Sequence, residues 1–151
     1  MTVERLVRQI RGYPAADHSA AVERLSDHDD PELWMQAVEV AARLGHPRLV
    51  ELCVRLLADP VWYVRCSACE RAYLAPVAVP ADVLLGLVEA NENETVRFYA
   101  AMALGRVADE QHLPRIAQLA EFVSGCNHEG VTVRDRLLRS ALEVWERGGR
   151  N

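Results

Sequence analysis

An all-α fold made of repeated helix pairs is predicted by this sequence, on three observations. One pattern appears twice: a polar turn, Val-Arg, a small-residue helix, then a leucine-rich helix. It reads DPVWYVRCSACERAYL from Asp59 to Leu74 and NETVRFYAAMALGRVAD from Asn93 to Asp109. Aligning Gln36, Val64, Val96 and Val133 gives separations of 28, 32 and 37 residues, a period of the length that marks a helical solenoid. No segment offers a strand pattern that survives the helical periodicity.

Taken in order, Val3, Leu6, Val7 and Ile10 form one apolar stripe on a short cap helix over 2–11, stopped by Gly12-Tyr13-Pro14. A second helix is expected from Ala16 to Leu25, closed by Ser26-Asp27-His28-Asp29-Asp30. Asp30 as N-cap and Pro31 in the first turn start a helix that runs to Leu44, where Gly45 stops it. Pro47 begins the next, with Leu49, Leu52, Cys53, Leu56 and Leu57 on one face. Asp59-Pro60 repeats the cap-plus-proline device before a helix from Val61 to Leu74. Ala75-Pro76 and Pro80 make a stiff connector to a pair at Ala81 to Ala90 and Glu94 to Ala108. Leu113 to Val123 follows, then a glycine-bounded loop from Ser124 to Gly130 and a last helix from Val131 to Arg147. The short links predict antiparallel neighbours. The whole is read as a single domain over 1–151, with repeats at about 16–45, 47–75, 81–108 and 112–147.

Composition bounds the function classes. Half of the residues are hydrophobic and 26% are charged, with glycine and proline sparse, so disordered and collagen-like classes are excluded. A net charge of −5 and a pI near 5.5 argue against a general nucleic-acid binder, which needs a basic face to neutralise phosphates. All 17 basic residues are arginine, so lysine Schiff-base and phosphate-loop chemistry are excluded. No apolar run reaches membrane-spanning length and the N-terminus has no apolar signal core, so a cytoplasmic protein is expected. Cys53, Cys66, Cys69 and Cys126 are then expected to be free thiols.

Val64-Arg65, Val96-Arg97 and Val133-Arg134, each opening a helix, together with Leu44-Gly45 and Leu104-Gly105 at helix ends, resemble the HEAT-repeat family. The likeness is closest to the short HEAT-like repeats found in bacteria and named after phycobilisome lyases, whose consensus resembles D-P-x-x-x-V-R-x-x-A-A-x-A-L-G followed by a proline-led leucine helix; the segment LGHPRLVELCVRLLADP of this chain fits it. It covers about residues 27–123 clearly and 131–147 loosely. The resemblance implies a right-handed α-α superhelix of about four antiparallel helix pairs plus the cap helix. It also implies a structural ladder of Arg65, Arg97 and Arg134 with turn acids such as Asp59 and Glu92. Gln36-Ala37 in place of Val-Arg, a third turn without Asp-Pro, and the Ser124 to Gly130 insertion depart from the pattern.

Residues able to carry chemistry read more simply as structure. Cys66 and Cys69 sit at i, i+3 inside a helix with no second ligand pair, and Cys69 shares the register of Ala101, so core thiols are expected over redox or zinc. Cys126 and His128 share a loop, but two ligands define no metal site. His18, His28, His46 and His112 show no nucleophile or carboxylate geometry. The Asp27 to Glu32 acidic run lacks the glycine of a calcium loop. No phosphate loop, G-x-S-x-G or H-E-x-x-H occurs.

The second helices carry a common register: Val38, Cys66, Phe98 and Asp135, then Ala42, Glu70, Met102 and Arg139, with Trp34 matching Trp62. In the family geometry this stripe faces solvent on the concave side. Trp34, Trp62, Tyr63, Phe98 and Met102, with Arg106 and Arg139, are the side chains interface centres favour. The expected function is therefore a non-catalytic scaffold or adaptor without cofactor or metal. Its partner is another protein, and it is a monomer or weak homodimer. The alternative is a HEAT-like enzyme: an alkylpurine DNA glycosylase-like nucleic-acid binder using Trp34, Trp62, Tyr63 and Arg134, Arg136 and Arg139, or a bilin lyase-like protein.

Overall fold

A computed structural model describes residues 22–24, 30–74, 79–90, 93–123, 127–128 and 131–148. The expected cap helix at 2–11, most of the helix at 16–25, the connector 75–78 and most of the loop 124–130 lie outside the described residues. Regular structure among the described residues is helical apart from one short ladder. The contacts divide the chain into two compact units, Met1–Asp59 and Pro60–Asn151.

In the first unit, residues 22–24 are helical and helix α1 spans Pro31–Leu44. Its start follows from local chemistry: Oδ1 of Asp30 accepts the Glu32 N–H at 3.0 Å, and Pro31 occupies the first turn, where a missing N–H has no cost. Gly45 ends it at φ 61°, a left-handed conformation that glycine adopts without strain, while the His46 N–H returns to the Ala41 carbonyl at 2.9 Å. Helix α2 spans Leu49–Leu57 and buries Leu52, Cys53, Leu56 and Leu57, packing on α1, which buries Leu33, Ala37, Val38 and Ala41. It begins two residues after Pro47. The Nδ1 of His46 accepts the Arg48 N–H at 3.1 Å, which holds Pro47 in the turn and makes Arg48 the cap.

The second unit contains α3 (Trp62–Leu74), α4 (Ala81–Ala90), α5 (Glu94–Val107), a 3-10 turn at Glu110–His112, α6 (Leu113–Phe122) and α7 (Val133–Arg147). Asn93 caps α5 by accepting from the N–H groups of Thr95 and Val96 at 2.9 and 3.2 Å. Asp109 and His112 cap the short turn reciprocally, side chain to backbone in each direction. Two expectations are corrected at α7. Val131 and Thr132 are not helical but pair antiparallel with His128 and Asn127, in strands β2 (Val131–Thr132) and β1 (Asn127–His128). The helix starts at Val133 because Thr132 Oγ1 accepts the Asp135 N–H at 3.0 Å.

Helix α5 is the hub: it packs against α3, α4 and α7, while α6 packs on α7 and touches α4. Its buried positions are Val96, Ala100, Ala101, Ala103, Leu104 and Gly105, small enough to admit neighbours from several directions. Gly105 marks the closest approach. A Cβ there would lie 2.6 Å from Oε2 of Glu143 and 3.1 Å from Oγ of Ser140. That seam is also tied by hydrogen bonds. Ser140 donates to the Ala101 carbonyl at 2.6 Å, and Arg147 donates to the carbonyls of Gly105 and Ala108 at the end of α5. Leu84, Leu104, Ile116 and Leu137, from α4, α5, α6 and α7 in turn, are fully buried, each contributing about 1.5–3 kcal/mol of burial.

Candidate partner-binding surface

On α3, Val64, Ala68, Cys69 and Ala72 point inward, which leaves Tyr63, Glu70 and Leu74 in solvent. Trp62 and Tyr63 are 45% and 55% exposed and meet edge to face, with ring centroids 6.0 Å apart. The next helix of the same layer, α5, presents Phe98, Tyr99 and Met102 half-buried and Arg106 exposed. Phe98 and Tyr99 repeat the edge-to-face contact at 6.0 Å. On α7, Arg134, Asp135 and Arg139 are exposed.

A cluster ties these helices together. Arg106 lies 4.7 Å over the ring of Tyr73, and Arg136 approaches the same ring at 5.8 Å, contacts in which the ring's negative face meets a guanidinium. Arg136 is buried, and both its terminal nitrogens donate to Oε1 of Glu143 at 3.3 Å. The aromatic ring of α3 is thus held between an exposed arginine of α5 and a buried, carboxylate-paired arginine of α7. Tyr73 and Glu143 were not singled out as site residues by sequence, and Arg136 was named only within the arginine cluster of the nucleic-acid alternative. One signal was present: Tyr73 occupies the register of Gly105 in the next repeat, a large side chain where its counterpart has none.

The common register is not a uniformly exposed stripe. Val38 and Cys66 are buried, Phe98 is half-buried and Asp135 is exposed, because register fixes an angular position and not what covers it. Trp34 belongs to the first unit, where it is half-buried with the Arg55 guanidinium 4.0 Å over its ring. Of the expected ladder residues, Asp59 is buried, Arg65 and Arg97 are half-buried and Arg134 is exposed.

Cys53, Cys66 and Cys69 are buried thiols. Burial pushes the Cys66 thiol up to about 11, partly countered by the nearby Arg65, and raises Cys69 further for the same reason. Both are therefore protonated and weakly nucleophilic at neutral pH. Cys126 lies outside the described residues. Among the described residues no group of three or more His, Cys, Asp or Glu is placed to hold a metal ion.

Helices α4, α5 and α6 enclose an open cleft of about 360 Å³, lined by Glu89, Arg97, Arg115, Gln118, Leu119 and Phe122 among others. Arg115 forms an ion pair with Glu89 across it and donates to Oε1 of Gln118 at 2.7 Å. That guanidinium holds the Glu89 carboxyl below its ordinary value. No family model, curated protein or solved structure matches the chain. No helix among the described residues is long and apolar enough to cross a membrane.

Proposed function

We propose that this chain is a HEAT-like helical-repeat module whose role is to bind another protein through the exposed face of α3, α5 and α7. The observation that carries the reading is the exposed Trp62 and Tyr63 pair on a layer that also presents Met102, Arg106 and Arg139. Aromatic and arginine side chains dominate binding energy at protein interfaces, and a ring already fixed by packing loses little freedom on binding. The repeat reading is supported by the contact order in the second unit. α3, α5 and α7 are successive neighbours, and α4 and α6 touch in their turn, as stacked helix pairs require.

The test is quantitative capture by the immobilised chain. Partners retained by the wild type should be lost by at least about tenfold in Trp62→Ala/Tyr63→Ala and in Arg106→Ala/Met102→Ala, with helical circular dichroism unchanged. Glu89→Gln, on the α4 to α6 cleft, should retain them. Equal retention by both surface variants would remove this face from the function.

A further inference from the structure

Helix α7 carries an apolar stripe that the partner-binding face does not use. Its buried residues Val133, Arg136, Leu137, Ser140 and Val144 fall on one arc, and Ser140 and Arg147 mark the side turned to α5 through their hydrogen bonds. Leu138, Leu142 and Trp145 fall on the opposite side at i, i+4 and i+7 and are 48%, 55% and 40% exposed. Three large apolar side chains in that spacing make a coiled-coil-like seam about 10 Å long. It lies at the edge of the α3, α5, α7 layer, facing away from α5.

We infer that a second copy of this chain covers this seam, α7 against α7 in antiparallel orientation about a two-fold axis. Charge selects this occupant. Arg139 and Glu146, both exposed, lie on the same flank of the stripe, seven residues apart. An antiparallel two-fold pair brings like flanks together. With the axis passing near Leu142, that leucine meets Trp145 of the other copy, and Arg139 meets Glu146 of the other copy, twice over. A parallel pair would instead set Arg139 beside Arg134 of the other copy and Glu146 beside Ala141, a like-charge contact and an unpaired acid. The seam is therefore self-complementary in one orientation only.

Its size sets the strength. Two helical turns fall well short of the roughly 1,200–2,000 Å² of a stable interface, so association is weak, with a Kd on the order of 100 μM. Arg139 at the flank also belongs to the proposed partner-binding face, but Leu138, Leu142, Trp145 and Glu146 do not, so Leu142→Glu and Glu146→Arg test this inference independently of that reading.

Sedimentation equilibrium of the full chain from about 10 μM to about 1 mM reads the outcome. A monomer–dimer equilibrium is expected for the wild type. Leu142→Glu should abolish it, and Arg139→Glu and Glu146→Arg should each weaken it by about tenfold. The double variant Arg139→Glu/Glu146→Arg should restore it, which a merely destabilised helix could not do. Circular dichroism of these exposed-site variants should match the wild type. A dimer indifferent to the charge reversals would overturn the inference. So would a wild type that stays monomeric to about 1 mM, and if Leu142→Glu then also loses a captured protein, the seam belongs to that protein instead.

Discussion

The two flanks of the second unit solve the same packing problem in different ways. Between α5 and α7 the helices meet closely at Gly105, with Ser140, Arg136, Glu143 and Arg147 placing hydrogen bonds in or beside the contact. Between α4 and α6 the contact is slight, and an exposed ion pair, Arg115 to Glu89, spans an open cleft. The first flank uses shape and desolvated polar pairing. The second uses charges that water and salt screen. Stability should accordingly be concentrated at α5 and α7, and function-related change should be tolerated most easily along α4 and α6.

Leu104→Ala should give the largest loss, about 2–5 kcal/mol in urea unfolding, since it empties a fully buried site at the hub. A loss under about 1 kcal/mol would mean that α5 is not the hub. Glu143→Ala should cost about 2–3 kcal/mol by leaving the Arg136 guanidinium buried without its carboxylate. Adding Arg136→Met should recover most of that loss, and if it did not, the cost would lie in packing and not in charge.

Helix α3 can be probed by pH through its buried thiol Cys66. The folded-state pKa of Cys66 lies above its ordinary value of 9.0, at about 11. The folded state thus holds the proton more tightly. Its contribution is complete below pH 9 and declines as pH rises toward 11. Thermal midpoints should fall over that window, and Cys66→Ala should flatten the fall. The smallest effect is expected from Glu89→Gln, which removes a screened surface pair. A resolvable drop in midpoint there would erase the contrast between the flanks.

Helix positions were largely legible because their signals are local. Asp30 with Pro31, Gly45 and the stretch from Ala81 to Ala90 act within a turn of where they stand. What was not legible depends on partners far along the chain. Burial of Val38 required knowing what covers it, whereas Cys66, expected both as a core thiol and on the solvent-facing register, is buried in keeping with the first of these. The close approach at Gly105 depends on Ser140 and Glu143, and the ring of Tyr73 on Arg106 and Arg136, none of which a periodicity contains. The start of α7 slipped by two residues because backbone pairing at Val131 and Thr132 competed with a helical pattern that side chains alone satisfied. Of the expected surface, exposure was legible for Trp62, Tyr63, Arg106 and Arg139, and the organising Tyr73 cluster was not.

Arg147 completes α5 from a distance, its guanidinium satisfying carbonyls 42 and 39 residues earlier in the chain. During synthesis, which proceeds N-terminus first, the end of α5 leaves the ribosome with these acceptors facing water. At about 5–20 residues per second the arginine that closes them follows roughly 2–8 s later. The end of the hub helix is thus closed by a residue made well after it, so its last carbonyls gain their protein partner only once α7 has been synthesised and docked.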